Sequence, residues 1–211
     1  MYSRRVTSAL LEESCKIDKS KLTTMTGSLL SNNESNSKFY SASKIDTDPI
    51  RSKLLEMLQH AYADEWVAVY QYSVEADYMN MMNYHGKLSD KAYFDINKEL
   101  IQHSSEEFNH SKLLIPEIIR LGGSPVNHIN NIESSSNGKF LVPVECQKTV
   151  LTQAIQSESG AIKVYSDISS YIKDHPGSCS SQFGDVIKFI LDQEYEHKSD
   201  LEKLLKEFKN V

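Results

Sequence analysis

The chain has 211 residues, 39% of them hydrophobic and 25% charged, which is enough for one domain of ordinary size with some chain left over. Its formal net charge of -6 argues against a general affinity for nucleic-acid backbones, and no apolar run approaches the roughly 20 residues that span a bilayer. Cys15, Cys146 and Cys179 form no Cys-x-x-Cys pair, so neither a zinc site nor a dithiol redox motif is indicated, and the sparse set fits a reducing compartment such as the cytoplasm.

Residues 1–48 are rich in Ser, Thr, Asn and Lys and cannot bury enough apolar area to offset their ordering entropy, so they read as a flexible polar tail. Seven Lys and Arg in this tail nearly cancel six Asp and Glu, which makes it no basic arm. Arg4 and Arg5 run straight into Glu12 and Glu13, a poor fit to a secretory signal or a transit peptide, and organelle targeting is the minority reading.

Residues 49–211 read as a helical bundle. Asp48-Pro49 is a cap followed by a residue suited to a first helical turn. Leu54, Leu55, Leu58, Ala61, Tyr62, Glu65, Val69, Tyr72 and Ala76 then recur at helical spacing. Gly86 and Ser89-Asp90 interrupt the pattern before a second stripe of Phe94, Ile96, Leu100, His103, Glu107, His110, Leu114, Ile118 and Leu121, which stops at Gly122-Gly123. Pro116 predicts a kink or an irregular turn within it. Residues 122 to about 143 read as a long connection. A third helix, from about Val144 to Lys173, carries Val150, Ala154, Ile155, Glu158, Ile162, Tyr165 and Ile168. After the His175-Pro176-Gly177-Ser178 turn, a fourth from about Ser181 to Phe208 carries Ile187, Ile190, Leu191, Glu194, His197 and Leu201. Two short links and one long middle link predict an all-α antiparallel four-helix bundle with one long crossover between the second and third helices.

The chemistry lies in polar residues on apolar stripes. Glu65, Glu107, His110, Glu158, Glu194 and His197 stand where Leu or Ile would continue the pattern, and buried carboxylates require compensation. Glu107-Phe108-Asn109-His110 and Glu194-Tyr195-Glu196-His197 each place a carboxylate and an imidazole one turn apart on one face. With 17 Glu and 7 His, a lone Glu-x-x-His arises by chance about once in two such chains. Two copies on alternate helices, with a single inward Glu on each of the others, are far more specific. Four carboxylates in a dry core repel, and two divalent ions cancel them while the imidazoles complete the ligand sets. Such donors suit ferrous iron, with manganese or zinc as substitutes. Glu107 and Glu158 are the expected bridging carboxylates. If the helical phase is off by one, Glu106, Glu196 and His103 become the inward residues.

The chain resembles the ferritin superfamily over about residues 50–207. Ala63-Asp64-Glu65-Trp66 with Tyr70-Gln71-Tyr72 is similar to its first-helix signature. His103 through Leu113, closed by Leu121-Gly122-Gly123-Ser124-Pro125, resembles the second helix; Glu158-Ser159-Gly160-Ala161-Ile162 resembles the third, and Asp192 through Leu201 the fourth. The texture is nearest to the Dps-like branch that carries a bacterioferritin-type di-iron centre. The resemblance implies a ferritin-like bundle with two iron ions per subunit, a ferroxidase-type oxidoreductase, and a role in iron storage and oxidative stress. It places Tyr72 near the iron, to donate an electron or a hydrogen bond or simply to pack. Phe108 stands where bacterioferritins hold haem with a Met, so no haem is expected. Only 14 residues follow His197, short of the family's fifth helix, which favours a dodecamer over a 24-mer. Asn137-Gly138 and Gly160 stand where the Dps-like branch often has a cysteine pair, so its thiol chemistry is not expected.

Two functions follow as rivals. One is oxidation of ferrous iron by dioxygen or hydrogen peroxide inside a hollow homo-oligomer. The other is oxidation or oxygenation of an organic substrate at the same centre. DNA shielding by the near-neutral tail is a weak third, and membrane partners are not expected.

Overall fold

A computed structural model describes residues 48–84, 90–126, 129–138, 140–141 and 147–207. The polar tail expected over residues 1–48 lies outside them except for Asp48, as do Cys15 and Cys146; Cys179 is a half-buried free thiol. Four long helices, α1 (Pro49–Tyr84), α2 (Asp90–Arg120), α4 (Gln147–Asp174) and α5 (Phe183–Glu207), are accompanied by a short α3 (Ile129–Ser135). Among the described residues, no helix is long and apolar enough to cross a membrane.

Local chemistry sets the helix ends. Asp48 Oδ1 accepts the amide of Ile50 at 2.9 Å, and its carbonyl accepts that of Ser52, so Asp48 caps α1 with Pro49 in the first turn. At the end of α2, Gly122 takes φ 86° while its amide bonds the Ile119 carbonyl and the Gly123 amide bonds that of Ile118. This paired closure requires a left-handed residue, which glycine supplies without a Cβ clash. Pro116 lies inside α2, and the helix continues past it to Arg120.

The packing makes α1–α2 and α4–α5 antiparallel hairpins, joined through α1 with α4 and α2 with α5. One end of the core gathers Leu54 and Leu58 of α1, Leu114 and Ile118 of α2, Ile168 of α4 and Ile187 of α5. The other gathers Ala76 and Met79, Ile96 and Leu100, Val150 and Leu151, and Leu201. The start of α1 therefore meets the ends of α2 and α4, so α2 and α4 run parallel and the segment between them must traverse the bundle's length.

That segment is not wholly irregular, as its composition suggested. Ile129–Ser135 forms a helix despite its Asn and Ser content, and α1 holds the segment in place. The His60 ring nitrogen bonds the Ser135 carbonyl, and the Asp64 carboxylate collects the Ser136 hydroxyl, the amides of Asn137 and Gly138 and the Asn137 side chain. Tertiary bonds here override weak helix propensity. Ala63 and Val67 are buried on this second face of α1, whereas an isolated amphipathic helix would bury one stripe. The α4–α5 turn is clamped similarly. Glu117 accepts from Arg120 Nε (2.8 Å) and from the Ser180 amide and hydroxyl, while Arg120 also donates to the Ser178 carbonyl.

Candidate metal centre

Between the two apolar layers lies a band of buried charge. Glu65, Glu107, His110, Glu158, Glu194 and His197 converge there, and none is more than 4% exposed. His110 Nδ1 stands 2.7 Å from Glu107 Oε2, 3.1 Å from Glu194 Oε1 and 3.5 Å from Glu65 Oε2. His197 Nδ1 stands 3.2 Å from Glu107 Oε1, 3.9 Å from Glu158 Oε2 and 4.0 Å from Glu194 Oε2. Two donor groups result: Glu65, Glu107, His110 and Glu194; and Glu107, Glu158, Glu194 and His197.

The carboxylates common to both groups are Glu107 and Glu194. The expected bridging pair was Glu107 with Glu158. Glu158 falls in only one of these two groups, and a tyrosine hydroxyl donates to its Oε1.

The outer positions are built reciprocally. Tyr165 of α4 donates to Glu65 Oε1 on α1, and Tyr72 of α1 donates to Glu158 Oε1 on α4. Each tyrosine follows its own helix's glutamate by seven residues, so two turns separate them in both helices. The histidines repeat the device. His110 Nε2 meets Gln193 Oε1 at 3.0 Å, and His197 Nε2 meets Glu106 Oε2 at 2.8 Å. Each outer partner immediately precedes the glutamate of the opposite Glu-x-x-His motif. With an acceptor behind Nε2, each imidazole donates outward there and turns Nδ1 toward the carboxylates, where it ligates once it carries no proton.

Of the three alternative residues, Glu106 backs His197, Glu196 is exposed, and His103 is buried beside the cluster. Tyr165 and Gln193 were not anticipated as site residues. The Glu-to-Tyr spacing shared by α1 and α4 was a readable signal for Tyr165; Gln193 had none.

The electrostatics follow from burial. Burial and the neighbouring Glu107 charge push Glu65 up from 4.5 to about 8, and the same two causes push Glu194 up to about 7. Burial, with the charge of Glu158, raises Glu107; burial, with the charge of Glu194, raises Glu158. Burial alone would lower His110, but its hydrogen bond to Glu107 and the nearby carboxylates of Glu194 and Glu65 overcome it and raise the imidazole well above its usual range. Tyr72 and Tyr165 are raised by burial and by the carboxylates they hold, so their hydroxyls stay protonated as donors.

The cluster has an excess of acceptors. Both Glu194 oxygens and His197 Nδ1 are buried with no hydrogen-bond partner among the described residues. Water-excluded oxygens with inward lone pairs fit divalent cations better than protons alone. A cavity of about 290 Å³ reaches these carboxylates between α1 and α4; Asn137, Gly138 and Gly160 line it.

The family model of the ferritin-like domain matches residues 55–211. The chain belongs to the ferritin-like domain family. Among solved structures this ferritin-like chain is similar to a dodecameric thioferritin, the bacterioferritin-related protein of Bacteroides fragilis. The two are 28% identical with a TM-score of 0.65, over 76% of this chain and 88% of that one. The bacterioferritin of Desulfovibrio desulfuricans, described with a diiron site in different catalytic states, shares the fold at 20% identity and a TM-score of 0.60. That likeness covers 77% of this chain and 83% of the other. No curated protein matches the chain.

Proposed function

We propose that this ferritin-like protein binds ferrous iron in pairs at Glu65, Glu107, His110, Glu158, Glu194 and His197, and oxidises it there with dioxygen or hydrogen peroxide. Storage or detoxification of the product in a hollow homo-oligomer completes the reading. The observation that carries it is the overlap of two donor groups on Glu107 and Glu194, in a core layer closed by apolar side chains on both sides. The two groups share two of their four members, so cations in them would sit as neighbours. The chemistry a bound iron pair supplies is the joint delivery of two electrons to an oxidant.

The protein's own groups serve that purpose by orientation. Tyr165 and Tyr72 each donate to one oxygen of Glu65 and Glu158 and so fix the orientation of both carboxylates. Gln193 and Glu106 fix the imidazoles, and the apolar layers exclude water, which strengthens every charge interaction between them. The cavity beside Gly138 and Gly160 is a route for small molecules.

Exposed Phe94, Ile101, Ile119 and Phe189 on the long helices support burial against other copies. The likeness to a dodecameric thioferritin favours twelve subunits. A second reading rests on the same cavity: at about 290 Å³ it reaches the lower edge of small-molecule pocket sizes, which suits an organic substrate.

The test mixes metal-free protein with ferrous iron in air. The expected result is rapid ferric formation, retention of far more than two irons per subunit, and loss of the fast phase in Glu194→Ala. Equal rates in wild type and Glu194→Ala would refute the reading, and iron held at only two per subunit would favour the organic substrate. Native mass measurement gives the assembly.

A further inference from the structure

His103 takes no part in the two shared donor groups, yet it is 1% exposed on the same face of α2, one turn before Glu107. Its Nε2 faces Glu99 Oε1 at 3.2 Å, one turn back on the same helix. A carboxylate thus faces its outer nitrogen, as Glu106 faces that of His197, and Nδ1 is the nitrogen turned toward the cluster. Nδ1 of His103 is buried with no hydrogen-bond partner among the described residues. It points toward Glu158 Oε1 at 3.8 Å, and its ring stacks on His197 with centroids 4.1 Å apart. The 3.8 Å gap, and the 3.9 Å gap from His197 Nδ1 to Glu158 Oε2, are too long for hydrogen bonds. They are close to the separation of two atoms that share a cation at about 2.1 Å each.

We propose that His103 is a further ligand which, with Glu158 and His197, forms an alternative position for a divalent cation of imidazole-binding character such as Fe²⁺, Co²⁺ or Zn²⁺. The proposal rests on the paired-cation reading. Ligand atoms of the three residues lie within 4.8 Å of one another. His197 offers a single inward nitrogen, because Nε2 is engaged by Glu106. A cation in this position therefore replaces, and does not join, the one held by Glu107, Glu158, Glu194 and His197. Moving between the two, it keeps Glu158 and His197 and exchanges two carboxylates for one imidazole. The ligand charge falls from three negative to one, so the outer position suits a divalent ion and the inner one a more highly charged ion.

The test uses the full chain stripped of metal and titrated without oxygen. Co²⁺ and Zn²⁺ are added to wild type, His103→Leu and His103→Gln, with circular dichroism to report folding. The expected result is two cations per subunit in each folded protein, with one of the two bound at least tenfold more weakly in both variants. Crystals of the wild type soaked in Zn²⁺ should show anomalous density at bonding distance from His103 Nδ1. If a folded variant binds both cations as wild type does, or the density lies only among the other six residues, the His103 position is overturned and the paired centre stands. If wild type binds no cations at these residues, both readings fail.

Discussion

Loading the centre with metal should expel protons, and the structure sets their number. Ligand atoms must be deprotonated to bind, so every proton the empty cluster retains is released when cations enter. Glu65 is pushed to about 8 and Glu194 to about 7, by burial first and then by the Glu107 charge. At pH 6.5 these two hold roughly 1.7 protons between them, and at pH 8 roughly 0.6. His110, raised by its three carboxylate partners, keeps its own proton across this range and adds one. Binding a pair of Co²⁺ or Zn²⁺ ions should thus release at least about 2.7 protons per subunit at pH 6.5 and about 1.6 at pH 8. Calorimetric titration in buffers of different ionisation enthalpy counts them. Glu65→Gln should lower the count at pH 6.5 by about one. A release near zero at pH 6.5, or one that does not change between the two pH values, would refute the claim that mutual repulsion in a dry core is what cations relieve.

Because Glu107 and Glu194 belong to both shared donor groups, alanine at either should weaken Co²⁺ binding more than Glu65→Ala, which leaves the second group whole; equilibrium dialysis compares them. Tyr72→Phe and Tyr165→Phe each strip a buried carboxylate oxygen of its donor, so both should lower the stability of the metal-free protein by about 1–3 kcal/mol, to similar extents, in chemical denaturation. Glu75, buried beside Gln71 and away from the centre, is raised from 4.5 to about 7 by burial; the folded state holds its proton more tightly, so stability present below pH 4.5 is lost as pH rises through 7. Glu75→Gln removes that loss, and its unfolding free energy should gain about 3 kcal/mol on wild type between pH 4 and pH 8.

The site was legible where a polar residue broke an apolar stripe. Glu65, Glu107, His110, Glu158, Glu194 and His197 interrupt 3.6-residue patterns, and a single helix's periodicity is enough to find them. The caps were legible for a similar reason: Asp48-Pro49 and Gly122-Gly123 act within one turn of their own helix. What the pattern could not convey is pairing between helices. Which carboxylate each tyrosine holds depends on how α1 and α4 face one another, which neither helix's own pattern contains. Gln193 looks like any half-buried polar residue until His110 is seen opposite. The short α3 was hidden because its stability comes from Asp64 and His60, some seventy residues earlier, and little from its own side chains.

The two halves of the bundle supply the same parts: one Glu with a Tyr seven residues on, then one Glu-x-x-His. Neither half can use them alone. Glu65 is fixed by a tyrosine from the second half and Glu158 by one from the first, and each histidine is oriented by the residue preceding the other half's motif glutamate. The exchange is symmetric in geometry and unequal in charge. Behind His110 stands the neutral amide of Gln193; behind His197 stands the carboxylate of Glu106. Both shared groups contain three carboxylates and one imidazole, so their difference originates one layer further out. His103 lies on the same side as Glu106, stacked on His197. The asymmetry therefore accumulates at one of two otherwise matched positions, which is where a cation that enters or leaves would be distinguished from one that stays.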